Sequence, residues 1–86
     1  MNSIETAQRA RILIRGIVQG VGFRPFIYNL ANTHSLKGWV LNSTEGVSIE
    51  VEGESENLRK FIQQIHEKAP PLAVIDFVDV SYLTKD

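Results

Sequence analysis

The sequence contains no cysteine, which excludes disulfides, thiolate nucleophiles and cysteine-based zinc sites. It also lacks an excess of either charge: nine lysines and arginines stand against ten aspartates and glutamates, for a net charge of −1. A general binder of nucleic acids or anionic membranes would be basic overall, so we expect neither partner. No apolar run approaches the roughly 20 residues that span a bilayer, and residues 1–8 hold no apolar signal region. We therefore expect a cytoplasmic protein.

The length of 86 residues indicates a single domain, because two ordinary domains need a longer chain. The 43% apolar and 22% charged residues are typical of a globular protein and not of a disordered one. Residues 1–9 show no periodicity and are predicted to form a flexible leader. The domain is predicted to occupy residues 10–86.

Hydrophobic periodicity predicts four strands and two helices. Residues 11–15 alternate charged and apolar side chains, with Ile12 and Ile14 on one face, as in a half-buried strand. Residues 47–51 alternate even more clearly. Further strands are predicted at residues 36–42 and 74–82, and helices at about 24–34 and between a cap at Ser55 and a stop at Pro70-Pro71.

The resulting order is β-α-β-β-α-β. Two helices on one face of an antiparallel sheet form an α+β sandwich of the ferredoxin-like type. The other face of the sheet is expected to be largely solvated. Because many unrelated activities share this architecture, the fold alone assigns no function.

The segment most informative about function is a glycine-rich loop, GIVQGVGFR at residues 16–24, between the first strand and the first helix. Its three glycines permit positive φ and close approach of the backbone. Such a loop can aim several N–H groups into one concavity, where a helix N-terminus adds about half a positive charge. Arg24 stands at the helix start, and a guanidinium can hold two oxygens of a phosphate. The segment is a candidate phosphate-binding loop, although glycines of this kind also form plain tight turns.

Asn42 is the second candidate. It precedes the polar connection at residues 43–46, where a hairpin turn is predicted, and asparagine is a common turn residue. Its amide could instead hold a water molecule, with the carbonyl as acceptor and the NH₂ group as donor. Both roles remain open from the sequence.

The remaining polar and aromatic residues give simpler interpretations. His34 and His66 are predicted near helix C-termini, where the helix dipole favours them, and they form no metal signature. Trp39 is predicted to pack in the sheet rather than to serve as a ligand platform. The glutamates between residues 45 and 56 are interpreted as a solvated face and turn.

These motifs resemble those of the acylphosphatase family. The resemblance rests on GIVQGVGFR at residues 16–24, GWVLN at residues 38–42 and Gly46-Val47, and it runs from about residue 10 to residue 82. One branch is especially similar, the N-terminal acylphosphatase-like domain of hydrogenase-maturation carbamoyltransferases (the HypF type). That similarity rests on RPF at 24–26, LA at 30–31 and PPLAVID at 70–76.

The resemblance implies a ferredoxin-like domain that hydrolyses a carboxyl- or carbamoyl-phosphate bond. It implies that Arg24 binds the phosphate and that Asn42 orients the attacking water. The loop amides implied to complete the site are those of Gln19, Gly20, Val21, Gly22 and Phe23. In the larger enzyme, the implied role is to dephosphorylate carbamoyl phosphate. The carbamate then passes to other domains, ultimately for the cyanide ligands of nickel–iron hydrogenase.

The chemistry of an acyl phosphate suits a site without acid–base residues. Its leaving group is a carboxylate or carbamate, and because a carboxylic acid has a pKa of about 4, it needs no protonation at neutral pH. What remains is to hold the phosphoryl group and to place water in line. We therefore expect a metal-independent hydrolase that needs no cofactor.

Two other functions would use the same features. A non-catalytic module that binds phosphate or carbamoyl phosphate would need the same loop. A single-stranded RNA module of the βαββαβ kind would need aromatic residues on its two central strands, but residues 11–15 and 47–51 contain none.

Acylphosphatase-like domains usually carry one more short strand, beside the strand that holds the asparagine. The sequence ends at Asp86, just after the last predicted strand. The resemblance therefore leads us to expect an unpaired edge at the Asn42 strand, and a chain that is a fragment of a longer protein.

Overall fold

The structure, a computed structural model, describes residues 7–83 and shows the predicted βαββαβ order. The elements are β1 (Ala7–Ile17), α1 (Phe23–Thr33), β2 (Lys37–Ser43), β3 (Gly46–Glu54), α2 (Ser55–Lys68) and β4 (Val74–Leu83). The four strands form one antiparallel sheet in the order β2-β3-β1-β4. Both helices contribute to a single core against one face of this sheet. The predicted ferredoxin-like α+β sandwich is confirmed.

The core lies between the two central strands and the two helices. Alternate residues of β1 and β3 are fully or almost fully buried, which is the period-two pattern of a strand with one covered face. These core residues are Ala10, Ile12, Ile14, Val47, Ile49 and Val51 from the sheet, and Phe23, Ile27, Leu30, Leu58, Phe61 and Ile65 from the helices. Burying a large apolar side chain contributes about 1.5–3 kcal/mol, so this layer holds the site's framework in place.

β1 is longer than the sequence predicted at both ends. It begins at Ala7, so residues 7–9, which we assigned to the leader, pair with β3. The rest of the predicted leader, residues 1–6, lies outside the described residues. At the other end, Gly16 and Ile17 extend the strand past a bulge after Arg15. Pairing with β3 at the first end and with β4 at the second fixes these residues as strand, and local periodicity does not report such pairing.

The start of α2 also differs from the prediction. Glu54, with extended φ and ψ of −64° and 142°, is the N-cap, and Ser55 is already the first helical residue. No side chain of residues 7–83 forms a capping hydrogen bond at this end, and β3 runs directly into α2. The helix ends at Lys68, before Pro70-Pro71, as predicted. Neither helix of the described chain has the length and apolar character needed to cross a bilayer.

Two predictions for the open face of the sheet are wrong. Trp39 is 42% exposed there instead of packing within the sheet. Its cross-strand partner Glu50, predicted to be solvated, is only 8% exposed. Glu50 accepts hydrogen bonds from the guanidinium groups of Arg9 and Arg11. These bonds, first from Arg9 and then from Arg11, lower the pKa of the Glu50 carboxyl against the opposing effect of burial.

Candidate functional site

The glycine-rich loop joins β1 to α1 and is fixed at both ends by core side chains. Val18 and Phe23 are each 1% exposed. Between them, Gly20 and Gly22 have φ values of 75° and 80°, in the left-handed region that glycine enters without strain. A Cβ at either position would meet nothing within 4 Å, so it is the backbone conformation, not lack of space, that favours glycine. The backbone here therefore takes the positive φ that the sequence predicts.

The first turn of α1 presents an uncapped N-terminus to the loop. Gly22 is the N-cap, no side chain in the described part of the chain accepts a hydrogen bond there, and the first turn contains no acidic residue. The partial positive charge of the helix end thus meets no carboxylate on its own turn, and the N–H groups of Phe23 and Arg24 point beyond the helix. Pro25 stands in this turn as predicted, where its missing N–H costs nothing.

β2 carries Asn42 to the same end of the sheet. Asn42 pairs directly with Val47 of β3, whose side chain is in the core. Because directly paired residues of antiparallel strands share a face, the Asn42 side chain lies on the helix side of the sheet. It stands one residue before the end of β2, close to the start of α1.

Arg24 and Asn42 line one small hollow of about 140 Å³. The other lining residues are Val18, Gly20, Gly22, Phe23 and Pro25. The structure therefore brings both predicted catalytic residues together with part of the predicted phosphate-binding loop. Gln19 and Val21 belong to that loop but do not line the hollow. The lining contains no aspartate, glutamate, histidine or lysine.

The charge of Arg24 is not neutralised within the described chain. Each of the other arginines in residues 7–83 forms an ion pair with a glutamate: Arg9, Arg11, Arg15 and Arg59. Arg24 is exposed and forms no ion pair in that part of the chain, and no hydrogen bond of the Asn42 side chain is found there either. The hollow thus combines an unpaired cation, a helix N-terminus and an unpaired amide, which suit an oxyanion and a water molecule.

The Gln19 side chain is a feature that sequence reasoning missed, since it assigned this residue only a main-chain role. Its Nε2 donates hydrogen bonds to the carbonyl oxygens of Ser43, at 2.9 Å, and Gly46, at 3.2 Å. These acceptors lie 24 and 27 residues further along the chain. A contact over that separation follows from the packing of the loop beside the β2–β3 hairpin, and no local sequence signal reports it.

A larger groove, of about 510 Å³, lies between α1 and β2. It is mainly apolar, with Ile27, Leu36 and Val40 inside. Lys37 lines this groove but none of the arginines in residues 7–83 does, and the groove borders the middle of α1 rather than its N-terminus, so it lacks the helix-end N–H groups of the smaller hollow. The histidines do not add a site: the His34 ring contacts Gln64 at 2.9 Å. No group of three or more His, Asp or Glu side chains within residues 7–83 is arranged to hold a metal ion.

The chain is similar to known proteins over most of its length. Residues 10–86 match the family model described as Acylphosphatase. A probable carbamoyltransferase HypF from Methanocaldococcus jannaschii is 49% identical over 72 residues, which cover 84% of this chain and 9% of that protein. An acylphosphatase from Thermotoga maritima is 42% identical over 77 residues, which cover 88% of this chain and 84% of that protein. The chain thus spans about a tenth of the length of the carbamoyltransferases that it matches.

Two solved structures are similar over almost the whole chain. A full-length HypF, described in its phosphate- and nucleotide-bound form, superimposes with a TM-score of 0.91 at 46% identity, covering 96% of this chain and 11% of that one. An acylphosphatase from Bacillus subtilis superimposes with a TM-score of 0.85 at 33% identity, covering 91% of this chain and 87% of that one. The resemblance that the motifs indicated is confirmed.

Proposed function

Because the chain belongs to the acylphosphatase family, we propose that it hydrolyses acyl phosphates in the hollow that Arg24 and Asn42 line. One observation carries this proposal: an arginine and a helix start, for which residues 7–83 supply neither an ion pair nor a side-chain cap, meet an asparagine amide at one place. The first two suit a phosphoryl group, and the third suits a water molecule beside it.

In the proposed reaction, water and an acyl phosphate give a carboxylate and inorganic phosphate. The water oxygen forms a new bond to phosphorus, and the bond from phosphorus to the acyl oxygen breaks. The carboxylate or carbamate leaves with the electron pair of that bond, and the protons of the water end on the new phosphate and in solvent. Because the leaving group is a weak base, the site needs no general acid, which agrees with the lining of the hollow.

Each residue has a separate task in this proposal. The Arg24 guanidinium and the loop amides of residues 19–23 donate hydrogen bonds to the phosphoryl oxygens and stabilise the charge that spreads over them. The Asn42 carbonyl accepts a hydrogen bond from the attacking water and directs its oxygen toward phosphorus. Neither a metal nor an organic cofactor takes part.

We further propose that the substrate is carbamoyl phosphate and that the domain acts within a larger carbamoyltransferase, where other domains receive the carbamate. The similarity to HypF proteins supports this. The full-length HypF structure, described with bound phosphate, supports phosphate as the ligand class. The cytoplasmic location expected from the sequence stays a prediction.

The experiment measures phosphate release from carbamoyl phosphate and benzoyl phosphate by the purified chain and by Asn42→Ala. We expect kcat to fall about 100-fold in the variant with a smaller change in KM, because a misplaced water slows attack without weakening the grip on phosphate. Asn29→Ala is the matched control, since Asn29 is an exposed asparagine of α1 that does not line the hollow. Equal kcat in the wild type and Asn42→Ala would show that the proposed mechanism is wrong.

A non-catalytic role is the second candidate, and one observation favours it. The chain corresponds to only 9% of the carbamoyltransferase that it matches, so it could bind a ligand for catalysis elsewhere in such a protein. This role predicts saturable binding of inorganic phosphate in a calorimetric titration together with no phosphate release from either substrate. Turnover that depends on Asn42 would exclude it.

A further inference from the structure

We infer that the Gln19 side chain is a strap that sets the position of Asn42 relative to the glycine-rich loop. The strap consists of the two hydrogen bonds from Gln19 Nε2 to the carbonyl oxygens of Ser43 and Gly46. The inference rests on the proposed hydrolase function, because it concerns the placing of the attacking water. Gln19 is accordingly a positioning residue and not a catalytic one.

The geometry uses the full donor capacity of the amide. A glutamine NH₂ group carries two hydrogens, and here two carbonyl oxygens lie at 2.9 and 3.2 Å from the nitrogen. One side chain therefore joins the loop to the end of β2 and to the start of β3 at the same time. Since Ser43 is the residue after Asn42, the strap reaches the backbone next to the proposed water-holding amide.

The loop has few other means of holding this position. Between the buried anchors Val18 and Phe23, Gln19 is the only residue with a polar side chain. Gly20 and Gly22 have no side chain that could contact the hairpin. Without the strap, the separation of this segment from Asn42 would depend on the two anchors, on the packing of Val21 against the core and on the glycine backbone.

The hairpin end of the strap is stiff. The Ser43 hydroxyl donates to the Gly46 carbonyl oxygen at 3.2 Å and accepts from the N–H of Glu45 at 3.2 Å. Gly46 is buried, and its backbone lies so close to β1 that a Cβ would stand 2.1 Å from the Ile14 carbonyl oxygen. The strap is therefore attached to a turn that hydrogen bonds and packing against β1 hold in place. The position of the loop thus fixes its distance from Asn42.

This arrangement separates two tasks of the site. The loop amides and Arg24 belong to one continuous segment, so that segment can grip phosphate even when the hairpin shifts. In-line attack depends instead on the distance between that segment and Asn42, and a displacement of about 1 Å can cost 100-fold in rate. Loss of the strap should consequently lower kcat and spare phosphate affinity.

The test is Gln19→Met, which keeps the length of the side chain and removes both donors. We expect kcat for benzoyl phosphate to fall about tenfold, while the inhibition constant of inorganic phosphate changes less than about threefold. Gln63→Met is the matched control, because Gln63 donates a hydrogen bond to Glu67 on the exposed face of α2. A Gln19→Met protein with unchanged kcat, or with phosphate affinity reduced as much as kcat, would contradict the inference that Gln19 positions Asn42.

A double-mutant cycle tests whether Gln19 acts through Asn42. At protein concentrations that make slow variants measurable, adding Gln19→Met to Asn42→Ala should lower kcat by less than about twofold. A full tenfold loss in that background would overturn the inference, because it would show a general structural effect.

The failure of the proposed function has a different signature, namely a wild-type protein that releases no phosphate from either substrate. In that case NMR tests directly whether Gln19 sets the position of Asn42. Gln19→Met should shift the side-chain NH₂ signals of Asn42, whereas Gln63→Met should leave them in place. Unshifted Asn42 signals would overturn the strap.

Discussion

The arginines on the open face of the sheet and the arginine at the loop differ in what their guanidinium groups meet. Arg9 contacts Glu50 and Glu52, and Arg11 contacts Glu50. Arg15 lies 5.4 Å from the centre of the Phe77 ring and 3.8 Å from Glu45. Arg24 meets no carboxylate in the described part of the chain. The open face neutralises its cations, whereas the hollow leaves one available for an anion.

Strand register explains this difference. Arg9 lies directly opposite Glu52, and Arg11 directly opposite Glu50, so the antiparallel pairing of β1 and β3 places opposite charges side by side. Arg24 stands instead in a helical first turn that has no acidic residue. The lesson is that the availability of an arginine for a ligand depends on the residues across the fold from it, and not on its own exposure.

The largest effect is expected from Arg24→Ala compared with Arg11→Ala. Loss of Arg24 should lower kcat/KM for benzoyl phosphate about 100- to 1,000-fold, because it removes the charged donor to the phosphoryl group. Its free energy of unfolding should change by less than about 0.5 kcal/mol, since the side chain is exposed and forms no ion pair within residues 7–83. Steady-state kinetics and urea unfolding measure the two quantities.

Arg11→Ala should show the opposite behaviour. Because Arg11 lies on the open face, kcat/KM should stay within about twofold of the wild-type value. Its side chain is 60% exposed, so removing its pair should cost at most about 1 kcal/mol of stability. A catalytic loss in Arg11→Ala as large as that in Arg24→Ala would contradict the division between the two regions.

A smaller effect is expected when the pH is lowered. The loss of stability should begin with a carboxylate on the open face of the sheet. The pKa of Glu50 is lowered from its ordinary value of 4.5, chiefly by the hydrogen bond from Arg9. The charged carboxylate therefore adds stability that is fully present above pH 4.5 and is lost as the pH falls through the lower pKa of the folded state. We expect the urea midpoint of the wild type to decrease over this range.

Glu50→Gln is the matched variant, because it keeps the shape and removes the titration. Its urea midpoint should be lower than that of the wild type at pH 7 and should change less on acidification. Since Glu50 is remote from the hollow, kcat at pH 7 should remain within about twofold. An equal acid sensitivity in the wild type and Glu50→Gln would show that Glu50 does not carry this linkage.

The smallest effect is expected at the hollow itself when the pH is varied. Its lining has no carboxylate, imidazole or lysine that could act as a general acid or base. We expect kcat for benzoyl phosphate to vary less than about twofold between about pH 6.5 and 8.5. A bell-shaped profile in this range would point to a titrating catalytic group and would weaken the contrast between a titrating face and a non-titrating site.

Local patterns predicted most of the fold. The alternation in β1 and β3 identified the buried face, and Pro70-Pro71 marked the end of α2. The errors occurred where pairing or connection overrode local preference. Residues 7–9 became strand because β3 lies beside them. Ser55 became the first residue of α2, and Glu54, the last residue of β3, took the N-cap position.

The predicted site residues form two groups. The conformation of Gly20 and Gly22 could be predicted, because a positive φ is a local property of glycine. That Arg24 and Asn42 share a hollow could be expected only from the family resemblance, since nothing local relates positions so far apart. Their catalytic roles stay predictions.

The sequence by itself determined which faces of the strands and helices are apolar, where the chain can turn sharply, and which chemical groups it possesses. The tertiary structure decided which of those groups meet. It placed Asn42 beside Arg24, attached Gln19 to the hairpin and surrounded Glu50 with arginines. The physical reason is that these contacts join segments more than 15 residues apart in the sequence, and only the burial of a shared core brings such segments together.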